Sequence, residues 1–273
     1  MGKFLPITKE FKNKYWKRPQ NMFFAKKISA IPVALGELRF LSLFLPLVFL
    51  KNKENKFVLM ALLNIEPSGN LFIDPNGRWL GRYVPWFFKA YPFSLGLTKE
   101  KKSVLLIDEE YISDNSKDIP FFKEGEEFSE EIKNILKFLL EREKGYQIVS
   151  EICDKLSQNE LLEEFNFKIK IGENEKSITG LFKVNFEKLF QLDNEKFLVL
   201  KDPGILLVIY SHFISLLNFN TLINLLRIKS QKISKKPTSE LKVISGKKES
   251  EKSLEENSQD LEEILKNLKF PEK

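Results

Sequence analysis

Between Gly69 and Leu95 the chain reads Gly-Asn-Leu-Phe-Ile-Asp-Pro-Asn-Gly-Arg-Trp-Leu-Gly-Arg-Tyr-Val-Pro-Trp-Phe-Phe-Lys-Ala-Tyr-Pro-Phe-Ser-Leu, a mixture that suits neither a long helix nor a plain strand. Glycine and proline fix turns within it, while the aromatic rings demand burial or a partner. Asp74-Pro75-Asn76-Gly77 is a β-turn on its chemistry alone, because Pro presets φ and Asn-Gly accepts positive φ. Regular structure has to come from the flanks.

On the N-terminal side, Ile31-Pro32 followed by Val33, Leu35, Leu38 and Leu41 predicts a short helix entering the core, with Pro32 in its first turn. Two apolar runs, Leu45 to Leu50 and Phe57 to Ile65, flank the polar turn Lys51 to Lys56 and read as adjacent central strands. Ser103 to Asp108 reads as a further buried strand. Ser129 opens a helix with Glu130 and Glu131 in its positive first turn, and Ile132, Ile135, Leu136, Leu139 and Leu140 repeat at helical spacing. The pattern resumes at Ile148 after Gly145, which predicts a kink or break there. Phe165, Phe167, Ile169 and Ile171 alternate with polar residues, and Gly172 to Glu175 turns the chain back into Ile178 to Val184 as a hairpin. Two short helices follow, separated near Leu192-Asp193, and after Asp202-Pro203-Gly204 comes a helix from Ile205 to Leu217 that is apolar nearly all round. The fold class is α+β: a single mixed-sheet domain over residues 1–227, helices packed on the sheet, and a C-terminal hairpin plus helices.

Beyond Arg227 the composition turns to Lys, Ser and Glu, too polar to bury a core of its own, so residues 228–273 are expected to form a flexible charged tail. Within it Leu261, Ile264, Leu265 and Leu268 make one apolar stripe behind a capping box at Asp260 and Glu263, over about 260–269. That helix either folds back on its own domain or docks a protein partner.

Several function classes fall by counting. One cysteine, Cys153, and one histidine, His212, exclude an internal disulfide and a zinc site of the usual ligands, and they suit a reducing cytoplasm. No secretory signal is visible. The most apolar run, Leu38 to Leu50, is 13 residues long and holds Arg39 and Pro46, so no membrane span is expected in the chain. Phosphate-binding glycine loops are missing, so no cofactor is expected. Residues 1–60 carry twelve Lys or Arg against three Glu, and residues 108–163 carry sixteen acidic residues against seven basic ones. These blocks either face each other or form two solvated faces. The basic aromatic segment Phe11 to Lys27 has the ingredients of a nucleic-acid contact, yet it reads as a structural arm, and nucleic acid is not expected as a partner.

Asn70, Leu71, Phe72, Gly77, Arg78, Trp79, Gly81, Tyr83, Pro85, Tyr91, Pro92 and Phe93, with Trp16 and Pro19 upstream, match the pattern of the SapC family, bacterial proteins named for an S-layer protein locus. The resemblance extends pattern-like through Gly180, Leu181, Phe182, Leu189, Phe197, Gly204, Tyr210 and Leu216. It implies a cytoplasmic accessory or binding protein connected with S-layer or surface-protein handling. The alternative is a peptide-modifying enzyme or an enzyme's partner. The candidate site is the surface of Arg78, Trp79, Tyr83 and Tyr91, which offers planar donors beside aromatic faces for a carboxylate or peptide. With it go Asp108 and Glu109 at a strand end, suited to proton transfer or a hard cation. Each has a plainer role available: Trp79 as core, Arg78 satisfying carbonyls, and the carboxylates solvating a strand end. His212 and Cys153 read as satisfied core residues.

Overall fold

A computed structural model describes residues 2–66, 69–98, 102–123, 127–171 and 174–234. In chain order the N-terminal half contains β1 (Phe4–Pro6), β2 (Tyr15–Trp16), β3 (Ala30–Pro32), α1 (Leu38–Leu41), β4 (Leu47–Lys51), β5 (Phe57–Leu62), α2 (Trp86–Lys89), β6 (Phe93–Leu97), β7 (Ser103–Asp108), β8 (Ile112–Ser113) and β9 (Ile119–Pro120). Then come α3 (Glu130–Gln158), β10 (Leu162–Glu164), β11 (Phe167–Ile171), β12 (Asn174–Ile178), β13 (Phe182–Val184), α4 (Phe186–Phe190), α5 (Asn194–Leu200), α6 (Pro203–Ser215) and α7 (Phe219–Ser234).

The α+β class is as expected, but the sheet is not single or mixed. Four small sheets form, of order β1-β7-β6, β10-β13-β4-β5-β3, β11-β12 and β8-β2-β9, and every described pairing is antiparallel. The β4 and β5 hairpin closes through a tight turn at Asn52, whereas β1 with β7, β4 with β13 and β2 with β8 pair segments far apart in the chain. The Asp74 turn closes with Gly77 N donating to Asp74 O over 3.0 Å, and Gly77 holds φ at +78°.

Two cores result. The larger one packs Phe49, Leu47, Ala61 and Ile31 of the five-stranded sheet against α3, α6 and α7. The smaller gathers Ile7, Trp16, Phe93, Ile107 and Phe121 under the first half of α3. Helix α3 joins them, giving Ile132 and Leu139 to the small core and Val149, Ile152, Cys153 and Leu156 to the large one. Ser129 caps it by accepting from Ile132 N. The break expected at Gly145 does not occur. The glycine is there because Ala34 and Leu35 press on the helix, and a Cβ would stand 2.9 Å from the Ala34 methyl.

The helix expected to begin at Pro32 is also displaced. Residues 30–32 pair with β5 as an edge strand, where a proline's missing N–H is tolerated, and the helix starts only at Leu38. His212 is fully buried: Val184 N donates to its Nε2 over 3.2 Å and its Nδ1 lies 2.8 Å from Leu47 O. Ser215 Oγ accepts from Leu47 N and donates to His212 O, so α6 is stitched across the β4 and β13 edge where only Phe182 and Phe49 pair directly. Cys153 is buried in the large core, and burial pushes its thiol up to about 12.

The helical run Pro203–Ser230 is long and apolar enough to cross a membrane by length and composition, which the sequence reading did not weigh. Half of its most apolar window is buried inside the protein, with Ile205, Val208, Ile209, Leu216 and Phe219 in the core. Helix α7 continues through Ser234, so residues 228–234 are helical. The tail expected beyond them and the stripe Leu261, Ile264, Leu265 and Leu268 lie outside the described residues.

Candidate functional site

The segment Trp16 to Phe24, the segment Val84 to Phe93 and the first turns of α3 enclose an open pocket of about 500 Å³, a volume in the range of ligand sites. β2 anchors the N-terminal wall: Tyr15 and Trp16 pair with β8 on one side and β9 on the other. That pairing carries ion pairs with it, Lys14 to Asp114 at 2.5 Å and Lys17 to Asp118 at 3.8 Å. The basic N-terminal and acidic central blocks therefore meet within one molecule.

Trp16 forms part of the lining, 3% exposed, with Phe93 edge-on to its ring at 4.8 Å. Its indole N–H has no partner among the described residues. The Arg18 guanidinium lies 5.7 Å from the centre of the same ring, a cation–π distance. Asn21 uses its Oδ1 to accept from Phe23 N, which leaves its amide N–H groups as donors. Phe24 stacks on Tyr91 at 3.8 Å and 12°, a flat aromatic wall. Glu131, Asn134 and Ile135 of α3 and Lys89 from the end of α2 complete the lining.

Tyr91 is the one residue of the expected site that lines this pocket. Its phenol donates to Asp108 Oδ2 over 2.8 Å, and the same oxygen accepts from Gly2 N at 3.0 Å. Asp108 Oδ1 accepts from Glu110 N. Oδ2 of this buried carboxylate thus ties Tyr91 and the N-terminal segment to the end of β7, while Oδ1 caps the turn at Glu110. The bond to Asp108, with burial as the larger cause, pushes the Tyr91 phenol above its ordinary range. Glu109 is exposed, and its N–H donates to Lys3 O.

The other expected residues sit elsewhere. Arg78 is exposed and turned back on its own turn, with backbone N and Nε donating to Asp74 over 2.8 and 2.9 Å. Those bonds, the backbone one foremost, hold the Asp74 carboxyl below its ordinary value. Arg78 therefore satisfies a carboxylate rather than carbonyls, and that carboxylate is Asp74. Trp79 is half-buried, stacked on Phe72 at 5.3 Å, and its Nε1 donates to Tyr83 O over 2.9 Å. Tyr83 stacks on Phe40 at 5.6 Å and its hydroxyl lies 3.4 Å from Glu37 Oε2.

Glu37 is the feature that sequence reading missed. It is fully buried, accepts from Trp86 N at 2.8 Å, and has no partner for Oε1 among the described residues. Burial raises its carboxyl from 4.5 to about 7, against the lowering pull of the Trp86 and Ala34 N–H groups, Tyr83 and Lys89. From α3, Tyr146 and Arg142 approach the same region, and the Tyr146 phenol is raised chiefly by burial. Lys89 connects the two places, since it lines the pocket and its Nζ lies 4.7 Å from the Tyr83 ring. The signal available in sequence was a lone acid set in the apolar run Leu35 to Leu41.

Among the described residues no cluster of three or more His, Cys, Asp or Glu could hold a metal ion. No curated protein and no solved structure matches the chain. The family model of SapC matches residues 8–222, a span that includes every residue lining the pocket, and the chain belongs to the SapC family.

Proposed function

We propose that this chain is a binding or accessory protein whose pocket between the Trp16–Phe24 arm, the Val84–Phe93 segment and α3 takes a segment of a protein or peptide partner. The carrying observation is the pocket itself: about 500 Å³, open, built from three chain segments, and lined by aromatic and apolar residues together with side-chain amides and cations. Trp16, Pro19, Tyr91 and Phe93, on which the resemblance to SapC proteins rests in part, all line it. The family membership supports a link to S-layer or surface-protein handling, and the single buried cysteine suits work in the cytoplasm.

A photo-cross-linking amino acid at Asn134, compared with one at the remote turn residue Asn55, tests the reading. Discrete protein adducts from position 134 alone support it; equal adducts from both positions, or none, contradict it. Cell fractionation in the same experiment places the chain, and retention in alkali-washed membranes would overturn the cytoplasmic assignment.

One observation favours the second reading, an enzyme acting on peptides. Glu37 is a buried carboxyl raised to about 7, with the Lys89 charge acting on it, as a general acid or base would be. It would replace Asp108 and Glu109 in that role. Peptides that bind the pocket and emerge chemically unchanged would remove this reading.

A further inference from the structure

The donors around the pocket outnumber the acceptors, and they are of a particular kind. Arg18, Lys89 and the Trp16 indole are donor-only groups, and Asn21 has its oxygen already engaged by Phe23 N. Among the described residues the Arg18 guanidinium has no carboxylate partner, and its one recorded contact is the face of Trp16. The Trp16 N–H is a nearly fully buried donor with nothing to receive its proton, an arrangement that costs free energy unless an acceptor arrives. The floor beneath is apolar, made by Trp16, Phe93 and Ile135.

We propose that the pocket recognises a carboxylate carried on a peptide segment, with the anion held by Arg18 and Lys89 and a neighbouring apolar side chain laid on Trp16, Phe93 and Ile135. The proposal rests on the reading of this pocket as a binding site and adds the chemistry of its occupant. Planar guanidinium suits a carboxylate through paired N–H donors, and the amides of Asn21 and Asn134 suit the flanking peptide groups.

A single anion fits better than a polyanion. Lys14 and Lys17, which with Arg18 would make a basic strip on the arm, are neutralised by Asp114 and Asp118. Glu131 also lines the pocket, where its charge disfavours a polyanion and its carboxylate oxygens suit a peptide N–H donor. A nucleic-acid strand needs a continuous track of positive charge and stacking faces, and among the lining residues only Arg18 and Lys89 are basic.

The test uses the full chain labelled with ¹⁵N at its three tryptophans, so that three indole signals report, with Trp79→Phe and Trp86→Phe variants assigning them. The probes are acetyl-Leu-Phe-Asp-Gly-amide, its Asn counterpart, acetyl-Gly-Leu-Phe with a free and with an amidated C-terminus, and hexathymidylate. We expect the Trp16 indole to shift with the carboxylate peptides, and affinity to fall about tenfold or more for the Asn and amide forms and for Arg18→Ala and Lys89→Ala. The free C-terminus and the Asp side chain are told apart by which of the two acids binds more tightly. Equal binding of the Asp and Asn peptides would overturn the carboxylate assignment while leaving the pocket as a peptide site. Movement of Trp16 by hexathymidylate at lower concentration than by any peptide would overturn it in favour of nucleic acid. Silence of Trp16 toward every probe would overturn this proposal; the cross-linking at Asn134 then decides separately whether the pocket binds at all.

Discussion

The phenol of Tyr91 donates a 2.8 Å hydrogen bond to the buried carboxylate of Asp108, which ties the aromatic wall of the pocket to the end of β7 and, through Gly2 N on the same oxygen, to the N-terminal strand. Residues far apart in sequence thereby set the shape of one wall. Hydrogen bonds to charged, buried acceptors are among the stronger ones.

Tyr91→Phe keeps the stacking on Phe24 and removes the hydroxyl that bonds Asp108 and also interacts with Tyr111. We expect a loss of about 1.5 to 3 kcal/mol in urea unfolding. Asp108→Asn should cost a similar amount, and the double variant should cost less than the two together, because both remove one interaction. Additive losses would mean that the two groups act separately.

Arg78→Ala should leave stability within about 0.5 kcal/mol, since its ion pair with Asp74 is exposed. Trp79→Ala should cost about 2 to 4 kcal/mol, through lost stacking on Phe72 and the lost bond to Tyr83 O. Thermal melts of both variants decide it. A strongly destabilised Arg78→Ala beside a wild-type-like Trp79→Ala would reverse the assignment.

Glu37 makes stability depend on pH in an unusual direction. Its carboxyl is raised from 4.5 to about 7 by burial, so in that window the folded chain holds a proton that the unfolded chain releases. The stabilisation from this group is full below about 4.5 and is lost as pH rises through about 7. Glu37→Gln keeps an acceptor for Trp86 N and cannot ionise. Unfolding free energies measured at pH 5 and pH 8 should differ less in this variant than in the parent chain. Identical pH dependence in the two would show that Glu37 is not the titrating group.

His212 works in the opposite sense. Burial lowers its imidazole from 6.5 to about 4, against the raising effect of Leu47 O. The neutral ring is stabilising above about 6.5, and that contribution is lost as pH falls through about 4. It is the single histidine in the chain, so its ring signals in proton NMR are unambiguous. They should not titrate between pH 8 and 5.5; a midpoint near 6.5 would mean the ring is solvated.

What could be read from sequence is what local chemistry controls. The β4 and β5 hairpin, the Ser129 cap of α3, the Asp74 turn and the satisfied His212 each follow from residues close together or from simple burial. Pro32 misled because a proline serves a helix start and a sheet edge equally well, and β5 decides between them. Gly145 misled because a glycine in a helix can mark a close neighbour as readily as a break, and Ala34 is that neighbour. Within the signature, Arg78, Trp79, Tyr83 and Tyr91 were legible as residue types, but their partners Asp74, Phe72, Glu37 and Asp108 were not. The pocket was invisible for the same reason: its walls are the arm at 16–24 and α3 at 131–135, which no spacing rule brings together.

Hydrogen exchange of the full chain, with and without saturating acetyl-Leu-Phe-Asp-Gly-amide, tests most directly the claim that this pocket is where the protein binds. The account expects added protection in 16–24, 84–93 and 131–135 together, reduced by Arg18→Ala. Protection confined to the exposed face of α6 around Tyr210 and Ile214, or none anywhere, would contradict it.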